Sequence, residues 1–558
     1  MSSSSRRGRI EAAALLLYAA VAFLIFGLRL VIHSGSYYSG TGDDPQIFIW
    51  AFAWWPHAIL HGENPFVSHA VWAPSGINLA WTTTVPGLAL PFAPLTLATG
   101  AVASYNVAAV LMPAFAAWTG FLLCRYLTKR IWPSLVGGYL FGFSSYMLGQ
   151  EEGHMQVSSV FLVPLVALVV LRYVRGELNA RGLVIRLGPL LAFQLLFSTE
   201  LLFTLTLALV CALVIAFIVA RDLRARMRTL LRPLVGSYLL AGVLTSPFLY
   251  YLLSDFQSAA VHHPEDYRTD LLNFVVPTHL TLTAYRWAGS ISSNFPGNPS
   301  EQGAYLGVPA LVIVALYAWT QRRTAGGRLL GLSFLLAVFL ALGVSLTVNG
   351  DSVLGLPWEH IGYLPLFNNI LVDRLSLYVS LAAALMVALW TASRRGGVLR
   401  WLLPVLAIVA VAPNPVSDAW ATSFLVPPLF TGSSYRTCLD PGENILPLPI
   451  SFDGDADLWQ VESGFRFTMA GGYVASDPPP SFRTPVPLGN VARGYAVPAD
   501  QASTLTAYIQ ARHVTSVVLD KSHSSLWEGA LDRIAKPHDV GGVLLYRFAG
   551  QTGACPDR

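Results

Sequence analysis

The chain has 558 residues, 54% of them hydrophobic and 12% charged, with a formal net charge of +4. A soluble globular chain carries about twice that charged fraction, which speaks against a soluble protein. The 35 Lys and Arg residues fall in short clusters between apolar stretches, a pattern of membrane topology and not of nucleic-acid binding.

In chain order, Ser2–Arg9 is polar and basic, and Glu11–Leu30 is apolar. The apolar run is longer than a signal-peptide core and no small-x-small site follows it, so it reads as a retained first span, about 11–31, with its basic end in the cytoplasm. A polar, aromatic first outer loop, 32–102, comes next. Within it Gln46–His61, with Trp50, Trp54 and Trp55, predicts an amphipathic helix in the headgroup layer. The stretch 84–99 is apolar but short and carries three prolines, which suits an interfacial or re-entrant helix better than a crossing. Further spans are predicted at about 103–124, 131–149, 155–173, 184–198, 201–220, 234–253, 304–320, 328–346, 371–391 and 399–412. Basic clusters such as Arg125/Lys129/Arg130, Arg221–Arg232 and Arg394/Arg395/Arg400 agree on one side only if 84–99 does not cross. The expectation is about eleven spans in a domain covering 1–412, N-terminus inside. The tail, 413–558, is rich in Pro, Gly and Asp, with strand-like runs at Asn444–Ile450, Val514–Leu519 and Gly542–Phe548 and a helix-like Ala502–Arg512. It reads as a small extracytoplasmic α/β domain.

Four cysteines are present. Cys124 and Cys211 lie in or beside apolar runs, as packing residues do. Cys438 and Cys555 lie in the tail, and if the tail is outside, a disulfide between them is open.

The residues that could carry chemistry fall on the predicted outer side. Asp43 and Asp44, in Gly42-Asp43-Asp44-Pro45, follow the first span. Adjacent carboxylates at a membrane require hydration, a partner or a cation, although Gly, Asp and Pro also make plain exposed turns. Gln150-Glu151-Glu152-Gly153-His154 is either a polar hairpin or a group that binds a divalent cation or positions a phosphate. Glu200 sits at the outer turn of a helical hairpin, lining a cavity, or is a buried acid in one long helix that needs a partner. The loop 254–303 holds His262, His263, Glu265, Asp266, Arg268 and Arg286. Arg374, beside Asp373, begins an apolar span, either as a phosphate ligand, for which the guanidinium fork is suited, or as half of an Asp–Arg pair capping the helix. No Walker loop, dinucleotide-binding glycine pattern, HExxH or paired CxxC occurs, which argues against an ATP-driven pump or a redox protein.

These residues bring in a resemblance. The segments GDDPQIFIWAFAWWPHAILHGENPF (42–66), APSGINLAWTT (73–83), LCRYLTKR (123–130), FGFSSYMLGQEEGH (141–154), EQGAYLGVPAL (301–311) and LPLFNNILVDRLSLY (364–378) together resemble the GT-C superfamily of membrane glycosyltransferases, which includes protein O-mannosyltransferases and lipid A aminoarabinose transferases. The nearer likeness is to bacterial YfhO-like members. The resemblance covers most of 10–410, and only its first-loop aspartate is a sharp marker.

It implies an all-α polytopic GT-C-like domain with interfacial helices and an extracytoplasmic tail, in the bacterial cytoplasmic membrane. It implies transfer of a sugar from a polyprenyl-phosphate carrier to an extracytoplasmic glycan, lipid or protein acceptor. The first-loop aspartate, here Asp44 or Asp43, acts as general base on the acceptor hydroxyl. Arg374, Arg268 and Arg286 are the candidates for the donor phosphate. Glu151, Glu152, His154 and Glu200 are candidate acceptor or metal ligands, with a divalent metal left open and no other cofactor implied. Two other readings compete: a lipid or glycan transporter or flippase, which needs polar residues deep in spans such as Gln194, and a non-catalytic envelope assembly protein that recruits partners through its tail.

Overall fold

A computed structural model describes residues 3–254, 263, 265–364, 366–393, 397–450, 454–475, 477–548 and 555. His262, Arg394 and Arg395 lie outside these. Among the described residues six helices are long and apolar enough to cross a membrane: Arg6–Ile32, Ala101–Thr128, Met155–Val174, Ala180–Phe197, Thr199–Val219 and Val372–Ala392. The broken pair Leu231–Leu244 and Ser246–Ser254 would add a seventh. The protein is a multi-pass membrane protein. Four further apolar helices are shorter: Pro86–Thr99, Val308–Gln321, Ala325–Ala341 and Leu399–Ala410. The 14 residues of Pro86–Thr99 reach only about 21 Å at helical rise, against a hydrocarbon core of about 30 Å. The span expected at 131–149 is interrupted. Ile131–Gly142 ends, and Ser144 starts Ser145–Gln150 by accepting the Met147 backbone N–H on its hydroxyl.

The chain divides into two compact units. The first comprises Met1–Ile32, Asn106–Ser246 and Phe256–Ala421. Its helices approach closely through small residues, as membrane helices do when no hydrophobic effect drives them together. A Cβ on Gly137 would come within 2.6 Å of the Cys124 sulfur and 2.9 Å of the Ala388 methyl. Cys124 is buried there, in the packing role expected of it. Ala180–Phe197 and Thr199–Val219 are separated at Ser198, whose hydroxyl accepts the Leu201 N–H at 3.2 Å. Glu200 therefore stands in the first turn of the second helix of a hairpin, not inside one long helix.

The second unit comprises His33–Tyr105, Pro247–Asp255 and Thr422–Arg558. The tail thus shares its compact unit with the first outer loop. The tail carries a five-stranded sheet of β1 (Asn444–Leu448), β2 (Thr468–Met469), β3 (Ser516–Asp520), β4 (Pro537–Val540) and β5 (Val543–Arg547), in the order β4-β5-β3-β1-β2. β1 runs parallel to both β2 and β3, and β5 is antiparallel to β3 and β4. Strands β1, β3 and β5 lie on the three runs read from the sequence, and the helix Ala502–Ala511 lies on the fourth segment. β1 and β3 are almost wholly buried, as expected of parallel strands covered on both faces. The first outer loop extends the sheet beyond β2. Met469 N–H donates to Ala70 O (2.8 Å), Ala73 N–H to Met469 O (2.8 Å) and Trp72 N–H to Gly471 O (3.0 Å). A disulfide joins Cys438 to Cys555.

The helix predicted at Gln46–His61 forms as Asp44–His61, but it does not lie in a headgroup layer. Residues on all its sides are buried, from Pro45 to Phe52 and again at Trp54–Pro56. Its three indoles are satisfied by the protein: Trp50 Nε1 donates to Gln460 Oε1 (2.7 Å), Trp54 Nε1 to Pro65 O (3.1 Å) and Trp55 Nε1 to Thr84 O (3.1 Å). A helix apolar on every face is a core helix, and this one is the core of the second unit.

Candidate active site

In the second unit, Asp43 is the N-cap of the Asp44–His61 helix, without a side-chain capping bond, and Pro45 occupies the first turn, where its missing N–H costs nothing. The carboxylate of Asp44 stands at the positive end of the helix dipole. The Tyr473 hydroxyl donates to Asp44 Oδ1 at 2.5 Å. Gln46, one turn in, donates from Nε2 to Asp455 Oδ1 at 2.6 Å. Burial, aided by Asp520, holds the Asp455 carboxyl above its usual range against the opposing Gln46 bond and His523. Tyr38 donates to Gly42 O at 3.0 Å.

Asp457, which follows in the tail, is only 2% exposed. Its Oδ1 accepts the Tyr473 backbone N–H at 3.4 Å, and its Oδ2 has no partner. Burial pushes this carboxyl up to about 8, with the Tyr473 N–H pulling the other way. A carboxyl raised by folding opposes the fold when ionised. That cost is absent below the unfolded value near 4, grows as pH rises, and is complete above about 8. Asp457→Asn keeps the acceptor and removes the charge. It is expected to raise the thermal unfolding temperature at pH 8, by an amount equivalent to roughly 3–5 kcal/mol, and to leave it unchanged at pH 4. Equal effects at both pH values would contradict this account.

In the first unit, Arg374 does not pair through its guanidinium with Asp373, which instead accepts the Arg374 backbone N–H at 2.8 Å. The guanidinium joins two glutamates. Nη1 donates to Glu200 Oε2 (2.6 Å), Nη2 to Glu301 Oε1 (2.5 Å), and Nε to both oxygens of Glu301 (3.1 and 3.0 Å). Side-chain exposures are 11% for Arg374, 19% for Glu200 and 1% for Glu301. Gln150 Nε2 donates to Glu301 Oε2 (3.2 Å) and Ser300 O (3.1 Å), and its Oε1 lies 3.1 Å from His154 Nδ1. Burial alone would raise the Glu301 carboxyl, but the Arg374 charge and hydrogen bonds outweigh it and hold the group below its usual range. Asn298 sets Glu301 in place by accepting its backbone N–H at 3.1 Å.

The segment Gln150–His154 is accordingly part of a buried network and not a plain polar hairpin. Glu152 is pushed up to about 7, by burial first and Glu301 second, with His154 opposing. Its Oε1 stands 3.7 Å from His279 Nε2, and burial lowers His279, so that contact is not an ion pair at neutral pH. Glu151 is buried with Oε1 unpartnered, and burial raises its carboxyl well above the usual range. Among the described residues no three His, Cys, Asp or Glu side chains converge as a metal-ligand set.

Of the three arginines expected to meet a phosphate, each has a different setting. Arg374 already spends its fork on carboxylates. Arg268 is tied to the hairpin of Ser345–Val348 and Asp351–Gly355 through Thr347 Oγ1 (2.8 Å) and Ser352 Oγ (3.4 Å), and also donates to Glu265 O. Arg286 is exposed at the start of the helix Arg286–Ser292.

Sequence reasoning assigned no role to Glu301, although the quoted segment 301–311 begins with it, nor to His279. In the tail it assigned none to Asp455, Asp457 or Tyr473, where no motif marked them.

Solved structures that share this fold include glycosyltransferases. The chain superposes on the Archaeoglobus fulgidus oligosaccharyltransferase in its apo form with a TM-score of 0.54 and 12% identity, over 91% of this chain and 69% of the other. It superposes on the same enzyme, AglB, in complex with an inhibitory peptide and a dolichol-phosphate at 0.52 and 11%, over 97% and 74%. For the mycobacterial arabinofuranosyltransferase AftD the values are 0.53 and 14%, over 97% of this chain and 41% of that one. The chain thus shares its fold with membrane glycosyltransferases of the GT-C class. The chain belongs to the family described as a domain of unknown function, DUF6311, whose match covers residues 15–412. The expected likeness to YfhO-like members has no counterpart in that match. No curated protein matches the sequence.

Proposed function

We propose that this protein transfers a sugar from a polyprenyl-phosphate donor to a hydroxyl of an extracytoplasmic glycan, lipid or protein, with Asp44 as general base. The observation that carries the reading is the Asp44 carboxylate itself. It follows the first span, stands at the N-terminus of a buried helix and is held by a phenol, which keeps a carboxylate oriented as proton abstraction requires. In the reaction the acceptor oxygen attacks the anomeric carbon and its proton passes to Asp44. The bond from that carbon to the phosphate oxygen breaks, and the polyprenyl phosphate leaves with the electron pair. Asp43, the N-cap, shapes the same turn.

The developing phosphate charge calls for a cation. Arg286 and Arg268 are the candidates that need give up no carboxylate partner. Arg374 would have to yield a glutamate first, and its role under this reading is to hold Glu200 and Glu301 in place. Glu152, His154 and Glu151 serve the same network, with acceptor contact or a divalent metal remaining as further assignments for them. The protein sits in the bacterial cytoplasmic membrane with its N-terminus inside and its tail outside. The Cys438–Cys555 bond supports that side, because disulfides persist in oxidising compartments.

The fold also leaves room for a transporter or flippase reading. Gln194 is fully buried in the helix Ala180–Phe197, with neither side-chain polar atom paired. One experiment separates the two. The protein is reconstituted in proteoliposomes with undecaprenyl-phosphate monosaccharides and a cell-envelope glycan and lipid extract as acceptor, and released undecaprenyl phosphate is measured alongside movement of the intact lipid. Release is the expected outcome. Movement of the lipid without release would overturn the transferase reading.

A further inference from the structure

Resting on the reading of Asp44 as the base, we propose that Tyr473, contributed by the C-terminal tail, is its positioning residue: the phenol fixes the carboxylate in one orientation and favours its ionised form. The tail is then part of the catalytic apparatus and not a separate recruiting module.

The geometry is built for this. Tyr473 is 6% exposed, and its hydroxyl donates to Asp44 Oδ1 across 429 residues of sequence. The ring is delivered by a constrained segment. Gly471 O accepts Trp72 N–H at 3.0 Å. Gly472 has φ +140°, and a Cβ there would stand 3.0 Å from Val71, so only glycine fits the turn that aims Tyr473. The Tyr473 N–H is taken by Asp457.

Asp457 lies on the short helix Ala456–Glu462, which also holds the other side of the bond. Gln460 on that helix accepts Trp50 Nε1 at 2.7 Å, and Asp455, just before it, accepts Gln46 Nε2 at 2.6 Å. Gln46 and Trp50 are on the helix that Asp44 begins. One element of the tail therefore grips both the base's helix and the residue that donates to the base. A structural tyrosine needs packing only. This one has its backbone N–H held by Asp457 and its hydroxyl held by Asp44.

Titratable groups beside Asp44 include Asp43 on its own turn, Tyr473 and Asp457 from the tail and, through Gln46, Asp455. The phenol favours the ionised form of Asp44, because a hydrogen bond donated to the charged form stabilises that form. Burial first, and the Asp44 charge second, hold the Tyr473 phenol well above its usual range, so it stays protonated and donates.

The test is Tyr473→Phe, which retains the ring. The ionisation of Asp44 is read directly by infrared difference titration of the full-length protein in lipid, subtracting Asp44→Asn in each background. Loss of the phenol is expected to move the Asp44 midpoint up by about one pH unit. In turnover of undecaprenyl-phosphate monosaccharides, the acid limb of kcat/KM is expected to move up by the same amount, with roughly tenfold lower rate below it and an unchanged KM for the donor.

Tyr508→Phe is the control. Its hydroxyl donates to Ala470 O at 2.7 Å, in the same neighbourhood but not to Asp44, and its removal should move neither midpoint nor limb. An unmoved Asp44 midpoint in Tyr473→Phe, or the same shift in both variants, would overturn the inference. If Asp44→Asn keeps wild-type turnover while the midpoint shifts in Tyr473→Phe, the assignment of Asp44 as base fails and the hydrogen-bond device stands.

Discussion

Asp44→Asn is expected to lower transfer from undecaprenyl-phosphate monosaccharides by about two to four orders of magnitude while leaving the protein folded. The amide retains the volume and the ability to accept the Tyr473 hydroxyl, so the helix start and the tail contact persist. What it loses is the capacity to take the acceptor's proton. KM for the donor is expected to stay within a factor of about two, because a group acting only as the acceptor hydroxyl is attacked contributes to kcat and not to donor binding. Asp43→Asn provides the contrast. Asp43 is the N-cap without a side-chain capping bond and takes no proton under this reading, so its loss is expected to cost far less. The measurement is single-turnover release of undecaprenyl phosphate. Wild-type rates in Asp44→Asn, or a larger loss in Asp43→Asn, would reassign the base.

How far this site could be read from the sequence depends on distance along the chain. The aspartate pair stood out because it lies directly after an apolar run. The strands β1, β3 and β5 were visible as short β-rich runs between Pro, Gly and Asp, and the hairpin at Glu200 was visible because a polar Ser-Thr-Glu step divides two apolar stretches. The Trp-rich helix was legible in type but not in setting. Its tryptophans suggest a headgroup anchor, whereas the pattern Ile47–Ala58 is apolar around the whole helix, which indicates burial. That pattern was present in the sequence and the aromatic signal masked it.

The long-range partners left no local trace. Tyr473 lies 429 positions from Asp44, and Glu301 lies in a Pro- and Gly-containing loop 73 positions from Arg374. Periodicity and turn chemistry say nothing about such pairs. Arg374 itself was legible as important, because a charge at the start of an apolar helix needs a reason. Its partner was the open question, and the fold answered it with carboxylates contributed by two other elements.

Arg374→Met is expected to destabilise the protein by about 3–5 kcal/mol, because it strands the carboxylates of Glu200 and Glu301 without a counter-charge. The cost arises from what is left behind more than from the attraction removed. Restoring neutrality should therefore recover most of it: in the triple variant Glu200→Gln/Glu301→Gln/Arg374→Met, thermal unfolding in lipid nanodiscs is expected to return close to wild type. Arg374→Lys is expected to recover little, since one ammonium cannot reproduce a fork that reaches Glu200 through Nη1 and Glu301 through Nη2 and Nε.

The pH dependence follows from Glu301, held below its usual range by Arg374. In the wild type this carboxylate contributes stability that is present above its unfolded value and lost as pH falls through the lower folded one. In Arg374→Met the sign reverses: burial then dominates, protonation relieves the fold, and the variant's deficit relative to wild type narrows as pH falls from 7 to 4. A deficit that stays constant across that range, or a triple variant no more stable than Arg374→Met, would mean that Arg374 stabilises the unit by packing and not by neutralising the two glutamates.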